Sequence, residues 1–247
     1  MSRANRIFTE GRVWHITHRC HKRSFLLKFV RDRRRWRHWL FEARRRYGLS
    51  VLNYIVTSNH IHLLCADRGQ GEIPRSLQLI AGRTAQEFNA RKNRNGAFWE
   101  GRYHATAVQT DSHLARCVTY IDLNMVRARA VKHPREWEVS GYNEIQNPWQ
   151  RKRAIDFDPL MKFLNVESHR ELAALQNQLL DDEIGVVRRN PIWTEAVAVG
   201  DDCYLQDMKD SLGARGYHKQ IAGEQGAKIL KELDPCYLSY LDPKMSD

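Results

Sequence analysis

The sequence predicts an α+β fold: an antiparallel sheet of ferredoxin-like type with helices on one face, followed by a smaller helical region. Three observations point there. Extended and helical stretches alternate in the order β-α-β-β-α-β and are followed by a further helix. The two central extended runs are joined by three turn-forming residues. Beyond Pro148 the composition changes, and Gly185, Pro191, Gly200 and Gly213 punctuate short segments. A chain of 247 residues can bury one sizeable core with a lesser second unit, so we divide it into 1–149 and 150–247.

Each element has its own reason. Val13–Arg19 alternates Val13, His15 and Thr17 with Trp14, Ile16 and His18, the period of a strand. Over Val30–Tyr47 the residues Val30, Trp36, Leu40, Ala43 and Tyr47 recur at near-helical spacing, with arginines over the remaining surface and Gly48 placed to end the helix. Leu49–Val56 and His60–Ala66 form a hairpin around Thr57-Ser58-Asn59. Ile73–Arg91 is a second helix, opened by Pro74 and carrying Leu77, Ile80 and Phe88 inward. Asn93–Gly96 is a turn, Tyr103–Thr110 a fourth strand, and Asp111 caps a third helix that runs to about Arg127. Arg151-Lys152-Arg153 reads as a linker, and helices are expected over Ser168–Asp181, Ile192–Val199, Cys203–Leu212 and Tyr217–Leu233.

Composition excludes several functional classes. Hydrophobic residues make up 42% and aromatic residues 10%, too rich for a disordered chain. No apolar run is long enough to span a bilayer, and Met1–Glu10 has no signal-peptide character. Five scattered cysteines (Cys20, Cys65, Cys117, Cys203, Cys236) include no CxxC pair, which predicts reduced thiols in a cytoplasmic protein. The net charge of +11 is uneven: residues 1–50 hold fifteen Lys/Arg against three acids, whereas residues 150–247 hold thirteen against seventeen. A basic first part joined to an acidic second part predicts that the first meets nucleic acid and not a membrane.

Two stretches carry chemistry. In His60-Ile61-His62-Leu63-Leu64 the strand period points both imidazoles to one face, where two such rings can grip one metal ion. An H-x-H pair alone arises often by chance. In the third helix Leu114, Val118, Ile121 and Met125 form an apolar stripe. Tyr120 and Asn124 lie one turn apart on a different face, shared with Arg116 and Arg127.

These stretches together resemble the REP-associated tyrosine transposases, a branch of the single-tyrosine HUH transposase superfamily. The resemblance rests on Tyr54–Leu64 with its His-hydrophobic-His core, on Trp14-His15-Ile16-Thr17, on Phe98-Trp99-Glu100-Gly101-Arg102-Tyr103 and on Tyr120–Ala128, and it covers about residues 6–149. It implies the HUH nuclease fold and a single-stranded DNA endonuclease and strand transferase. Tyr120 matches the nucleophile that attacks a DNA phosphate and becomes a 5′-phosphotyrosine. His60, His62 and Asn124 match the ligands of a divalent cation, Mg²⁺ or Mn²⁺. The implied partner is single-stranded or hairpin DNA of REP-like repeats. The protein is expected in the cytoplasm, associated with the nucleoid, as a monomer or homodimer. Two positions depart from the family pattern: Met125 stands where a proline usually follows the asparagine, and Thr57 where a methionine is common.

Phosphate contacts are expected from Arg31, Arg33, Arg34, Arg35 and Arg37 on the arginine-rich helix, from Arg91, Lys92 and Arg94 in the following loop, and from Arg102, Arg116 and Arg127. Trp36, Trp39, Phe98, Trp99 and Tyr103 are candidates to stack unpaired bases, with Trp36 expected in the core. A nearby cation such as Arg116 or Arg127 would favour the Tyr120 phenolate. Two other readings stand beside this one: a non-catalytic protein that binds hairpins or regulates repeats, and an RNA-binding ferredoxin-like module. For residues 150–247, whose acidic balance argues against much phosphate contact, the expectation is a structural or regulatory tail.

Overall fold

The fold is taken from a computed structural model, which describes residues 8, 10–149, 153–185, 190–224 and 226–233. The expectations for Met1–Arg6, Arg151, Lys152 and Cys236 fall outside the described residues.

Strand β1 (Val13–Arg19) lies between β3 (His60–Ala66) and β4 (His104–Val108), and β2 (Ser50–Val56) closes one edge beside β3. All three pairings are antiparallel, with Thr17 opposite both His62 and His104. Helix α1 (Val30–Tyr47) ends where Gly48 turns left-handed (φ 71°) and its N–H donates to the Arg44 carbonyl. Helix α2 (Glu72–Arg91) packs beside α1, and Trp36, Leu40, Ile73, Leu77 and Ile80 are buried. These elements complete the βαββαβ unit, and α1 and α2 share one face of its sheet.

The third helix takes the other face. Tyr54 turns its ring toward Trp36 of α1, at 6.3 Å between centroids. Its neighbour Asn53 points the opposite way and donates to the Val118 carbonyl and the Asp122 carboxylate of α3 (Ser112–Asp122). Asp111 caps α3 by accepting from the His113 N–H at 3.0 Å. The helix does not run on unbroken to Arg127. Leu123 has ψ 0°, and a further single turn, α4 (Asn124–Arg127), starts after it. The predicted apolar stripe of Leu114, Val118, Ile121 and Met125 is buried.

The chain beyond residue 149 belongs to the same sheet and core. Beside α5 (Gly141–Gln146), which precedes that boundary, α6 (Phe157–Leu164) and α7 (His169–Glu183) pack near β2 and α3. After α8 (Ile192–Glu195), β5 (Ala198–Gly200) pairs in parallel with β4, Ala107 facing Ala198. Helix α9 (Asp202–Ser211) follows, and β6 (Lys219–Glu224) and β7 (Ala227–Glu232) extend the sheet to seven strands, ordered β2-β3-β1-β4-β5-β7-β6. Two expected helices are therefore corrected. Ile192–Val199 is a single turn followed by the start of β5. Tyr217–Leu233 contains a hairpin, Ile221 opposite Leu230, with Gly226 in a positive-φ turn (74°) that would interrupt a helix. The expected helices around 168–181 and 203–212 are present as α7 and α9. Trp193, Val199, Leu205 and Ile229 share one buried cluster with Val13, Leu63 and Ile121.

Candidate active site

The site forms where the inner face of β1 and β3 meets the end of α3. Strand alternation turns His60 and His62 toward α3, together with Thr17 and His15 of the neighbouring strand. The His60 and His62 ring centroids lie 5.0 Å apart. His62 Nε2 is 2.9 Å from the Asn124 side-chain nitrogen, which donates to it. The break at Leu123 leaves the Tyr120 carbonyl facing the Arg127 guanidinium, which donates to it. That guanidinium also lies over the Tyr120 ring, 4.3 Å from its centroid. Burial pulls the Arg127 pKa down, while the Tyr120, Glu183 and Asp122 charges act against the fall.

Tyr120 is only 5% exposed. Its ring meets His62 edge-on (5.7 Å), His15 edge-on (6.1 Å) and Trp193 of α8 at a tilt (6.2 Å). A cavity of about 680 Å³ opens over this cluster, bordered by His60, His62, Tyr120, Asn124 and Arg127 and by Thr194 and Glu195 of α8. Arg19, Arg23 and Arg102 border it too, with Glu100 as a further acid. The site thus brings a phenol, two imidazoles, an amide and several guanidinium groups around one polar opening.

His15 is fully buried, and desolvation takes its pKa down to about 3, so the ring is neutral throughout the physiological range. His18 behaves similarly on the other face: burial lowers it to about 4, and its ring stacks on Trp99 at 4.2 Å.

The expected DNA-contacting residues divide into distinct groups. Arg102 and Arg127 border the cavity, whereas Arg116 does not: its guanidinium reaches the Gly226 carbonyl in the β6–β7 turn at 3.2 Å. Of the two cations expected beside Tyr120, the structure selects Arg127. On α1, Arg34 makes a two-pronged pair with Glu138, and Arg35 another with Glu87. Arg33 donates to the Leu27 and Lys28 carbonyls and lies over Trp137. Arg31 stays exposed, Arg37 is half-buried near the Tyr54 hydroxyl, and Arg91 pairs with the buried Asp32. Lys92 sits over exposed Phe29, and Arg94 braces its loop through Asn89 and the Ala97 carbonyl.

The aromatic candidates are corrected in part. Trp36 lies in the core as expected, whereas Trp39 and Phe98 are buried at 6% and 2% exposure and offer no stacking face. Trp99 is half-buried, with one face on His18 and its indole N–H donated to the Ala81 carbonyl. Tyr103 is half-buried near Phe8 and His18.

Sequence reasoning did not assign roles to His15, Arg19, Arg23, His104, Trp193 or Glu195. The strand period already placed His15 on one face with Thr17, but its partner Trp193 lies 178 residues away. Arg19 is the last residue of β1 and Arg23 follows soon after it, and Asn59 donates to the Arg23 carbonyl, tying that segment to the hairpin turn.

Comparison with known proteins bears on the same region. The family described as transposase IS200-like matches residues 10–124, a little under half of the chain. The chain is similar to a REP-associated tyrosine transposase whose structure was solved bound to a REP hairpin. The two share 20% identity at a TM-score of 0.50, over 64% of this chain and 96% of that one. A candidate transposase from Deinococcus radiodurans R1 shares 16% identity at a TM-score of 0.35, over 47% of this chain and 92% of that one. No curated protein matches the chain. The stretch that matches the IS200-like transposase family, residues 10–124, runs from β1 to the first residue of α4 and so contains both histidines, Tyr120 and Asn124.

Proposed function

We propose that the chain cleaves and rejoins single-stranded DNA at hairpin-forming, REP-like repeats, with Tyr120 as the nucleophile. The observation that carries this reading is the convergence of Tyr120, His60, His62 and Asn124 on one cavity, with the Arg127 cation over the phenol ring. The Tyr120 oxygen attacks the phosphorus as its proton leaves. A P–O bond to tyrosine forms, the bond to the 3′ oxygen breaks, and that oxygen takes up from solvent the equivalent of the proton the phenol released there, departing as a 3′-OH. The phosphotyrosine conserves the diester, so a second 3′-OH reverses the step without a nucleotide cofactor. An unperturbed phenol titrates near pH ~10, and Arg127 favours its ionised form. Arg19, Arg23 and Arg102 supply positive charge where the strand's phosphates enter.

The donor set fits a divalent cation. Two imidazoles and a side-chain amide converge, and His62 Nε2 faces Asn124 at 2.9 Å. Among the described residues no group of three His, Cys, Asp or Glu gathers at metal-binding distance; the third protein ligand in this reading is the Asn124 amide oxygen, which requires the amide to turn from its present contact, in which its nitrogen donates to His62 Nε2. His60, His62 and Asn124 would hold Mg²⁺ or Mn²⁺, which polarises the scissile phosphate and offsets charge on its oxygens.

The solved neighbour's REP hairpin guides the choice of substrate. End-labelled single-stranded hairpins from repeats flanking the gene are offered to the wild type and to Tyr120→Phe with Mg²⁺ or Mn²⁺. Denaturing gels are scored for a cut strand and a protein-linked 5′ fragment. Wild type is expected to give both and the variant neither, with hairpin binding retained. Hairpin binding by both proteins with no cleavage by either, across a metal titration, would refute the enzyme and leave a binding protein.

A further inference from the structure

We propose that His15 and Asn59 fix the tautomers of His62 and His60, so that both rings present an unprotonated Nε2 to the same cavity. The proposal deepens the metal-assisted reading above and rests on it for its purpose, although not for its geometry.

Two backbone carbonyls, of Trp193 and Arg23, can only accept hydrogen bonds and so fix the direction of each hydrogen-bond chain. The Trp193 carbonyl oxygen lies 2.7 Å from His15 Nδ1, so that nitrogen carries the proton. His15 Nε2 lies 2.9 Å from His62 Nδ1, and because the Asn124 N–H occupies the lone pair of His62 Nε2, it is His15 Nε2 that accepts between the two rings. An acceptor requires a donor, so His62 is protonated at Nδ1 and carries its lone pair on Nε2. The two ring planes are parallel within 5° at 5.0 Å between centroids; with the 2.9 Å N···N distance this places the bond in the ring planes and is no face-to-face stack. On the far side of His62, the Asn124 N–H donates to Nε2 at 2.9 Å, as this tautomer requires.

The second chain runs through the hairpin turn. The Asn59 side-chain nitrogen donates to the Arg23 carbonyl at 3.1 Å, which orients the amide. Its oxygen therefore faces His60 Nδ1, at 2.7 Å. The Thr57 hydroxyl donates to the His60 carbonyl at 2.8 Å and accepts from the Asn59 and His60 backbone N–H groups at 3.3 and 3.1 Å, which closes the turn and sets its oxygen 3.0 Å from the same Nδ1. The Asn59 oxygen can only accept, so His60 is also protonated at Nδ1. Thr57, where methionine is common in the resembling family, thus has a task in this chain. Two histidines two residues apart reach one tautomer by separate routes, each ending on a main-chain carbonyl. A histidine binds a cation through an unprotonated nitrogen, and the partner on its other nitrogen decides which one that is. His15 and Asn59 are positioning residues, acting through the rings they touch.

The test uses the full chain labelled with ¹⁵N-histidine, without metal, near pH ~8, above the ordinary histidine pKa. Long-range ¹H–¹⁵N correlation is expected to show His60 and His62 as Nδ1–H tautomers. In His15→Phe, His62 is expected to move toward the Nε2–H form while His60 stays. Mn²⁺ affinity, followed by electron paramagnetic resonance, is expected to fall about 10–100-fold. His15→Gln, whose amide can donate to Trp193 and accept from His62, is expected to restore both. Asn59→Leu combined with Thr57→Val is expected to shift His60 alone. An Nε2–H tautomer at either ring in the wild type overturns the proposal even if no variant folds, and so does a His15→Phe spectrum and affinity like those of the wild type. Nδ1–H tautomers at both rings in a wild type that takes up no Mn²⁺ would support the relay and refute the metal reading instead.

Discussion

Asp122, two residues past Tyr120, offers the sharpest stability prediction. Its carboxylate is fully buried and accepts from the Asn53 amide at 3.0 Å and the Gln176 amide at 2.7 Å, joining the end of α3 to β2 and α7. Desolvation outweighs these bonds and takes the pKa from 3.8 to about 7. An acid with a raised folded-state value binds its proton more tightly when folded. Its contribution to stability is fully present below the unfolded value of ~3.9, declines as pH rises, and is gone above about 7. A shift of roughly 3 units at 1.36 kcal/mol each corresponds to about 4 kcal/mol across that window, or roughly 1.4 kcal/mol per pH unit in its middle. Urea unfolding followed by tryptophan fluorescence, between about pH 5 and 8, measures it against Asp122→Asn, which cannot ionise. Asparagine places an N–H against one of the two amide donors, so the variant carries a constant offset; the informative quantity is how the difference between the proteins changes with pH. Wild type is expected to lose ground to the variant up to about pH 7 and then hold level. A difference that stays flat over the whole range would show that Asp122 ionises normally in the folded state.

The other predictions address the site and its supports. Arg127→Met removes the cation over the phenol, and single-turnover cleavage of a hairpin substrate should slow by about 10²–10³-fold with little change in binding; an unaltered rate would remove Arg127 from the reaction. Trp193→Ala empties a position only 2% exposed, and urea unfolding should register a loss of about 3–5 kcal/mol. Gly141→Ala would set a Cβ 2.1 Å from the Asn53 side-chain oxygen and 3.1 Å from the Tyr54 nitrogen, and should cost about 1–3 kcal/mol, read as a lower Tm. Ending the chain after residue 149 removes β5 from beside β4 and uncovers the edge next to His104; the fragment should be aggregated or partly unfolded by near-UV circular dichroism, and a fragment with native spectra would show that residues 1–149 are self-sufficient.

The sequence is most legible where one periodicity acts alone. The alternation in Val13–Arg19 and the helical spacing of Val30–Tyr47 each give element bounds identical to those found, because a strand face and a helix stripe are local consequences of burying one side. The common face of His60 and His62 follows from the same rule. The β6–β7 hairpin is not legible in this way. Its strands carry few apolar residues, Ile221 opposite Leu230 and Ala222 opposite Ile229, and pair at the far edge of the sheet, so the register comes from tertiary pairing with β5. Gly223 and Gly226 were the available signal, since a positive φ at Gly226 suits a turn and not a helix interior. The break at Leu123 has no residue of its own to announce it; the Arg127 guanidinium that takes up the Tyr120 carbonyl comes from the turn beyond.

The charge pattern shows a further limit of reading by composition. The arginines of α1 account for much of the basic excess in residues 1–50, yet Arg34 and Arg35 are held by Glu138 and Glu87, and Arg45 and Arg46 by Glu42. Acids that lie far away in sequence, at 87 and 138, answer this helix in three dimensions. The guanidinium groups at the cavity come from other places: Arg19 at the end of β1, Arg23 after it, Arg102 before β4, and Arg127 in α4. Exposed ion pairs contribute at most about 1 kcal/mol each, so α1 can exchange a carboxylate for a phosphate at little cost. The cavity arginines border the phenol and imidazoles directly. A local count of arginines thus marks a surface able to hold a polyanion, whereas the position of chemistry depends on which cations the sheet carries to the end of α3. The acidic balance of residues 150–247 likewise does not set them apart from the site: α8 brings Glu195 to the cavity wall and the Trp193 carbonyl to His15, because β5 has joined the sheet beside β4.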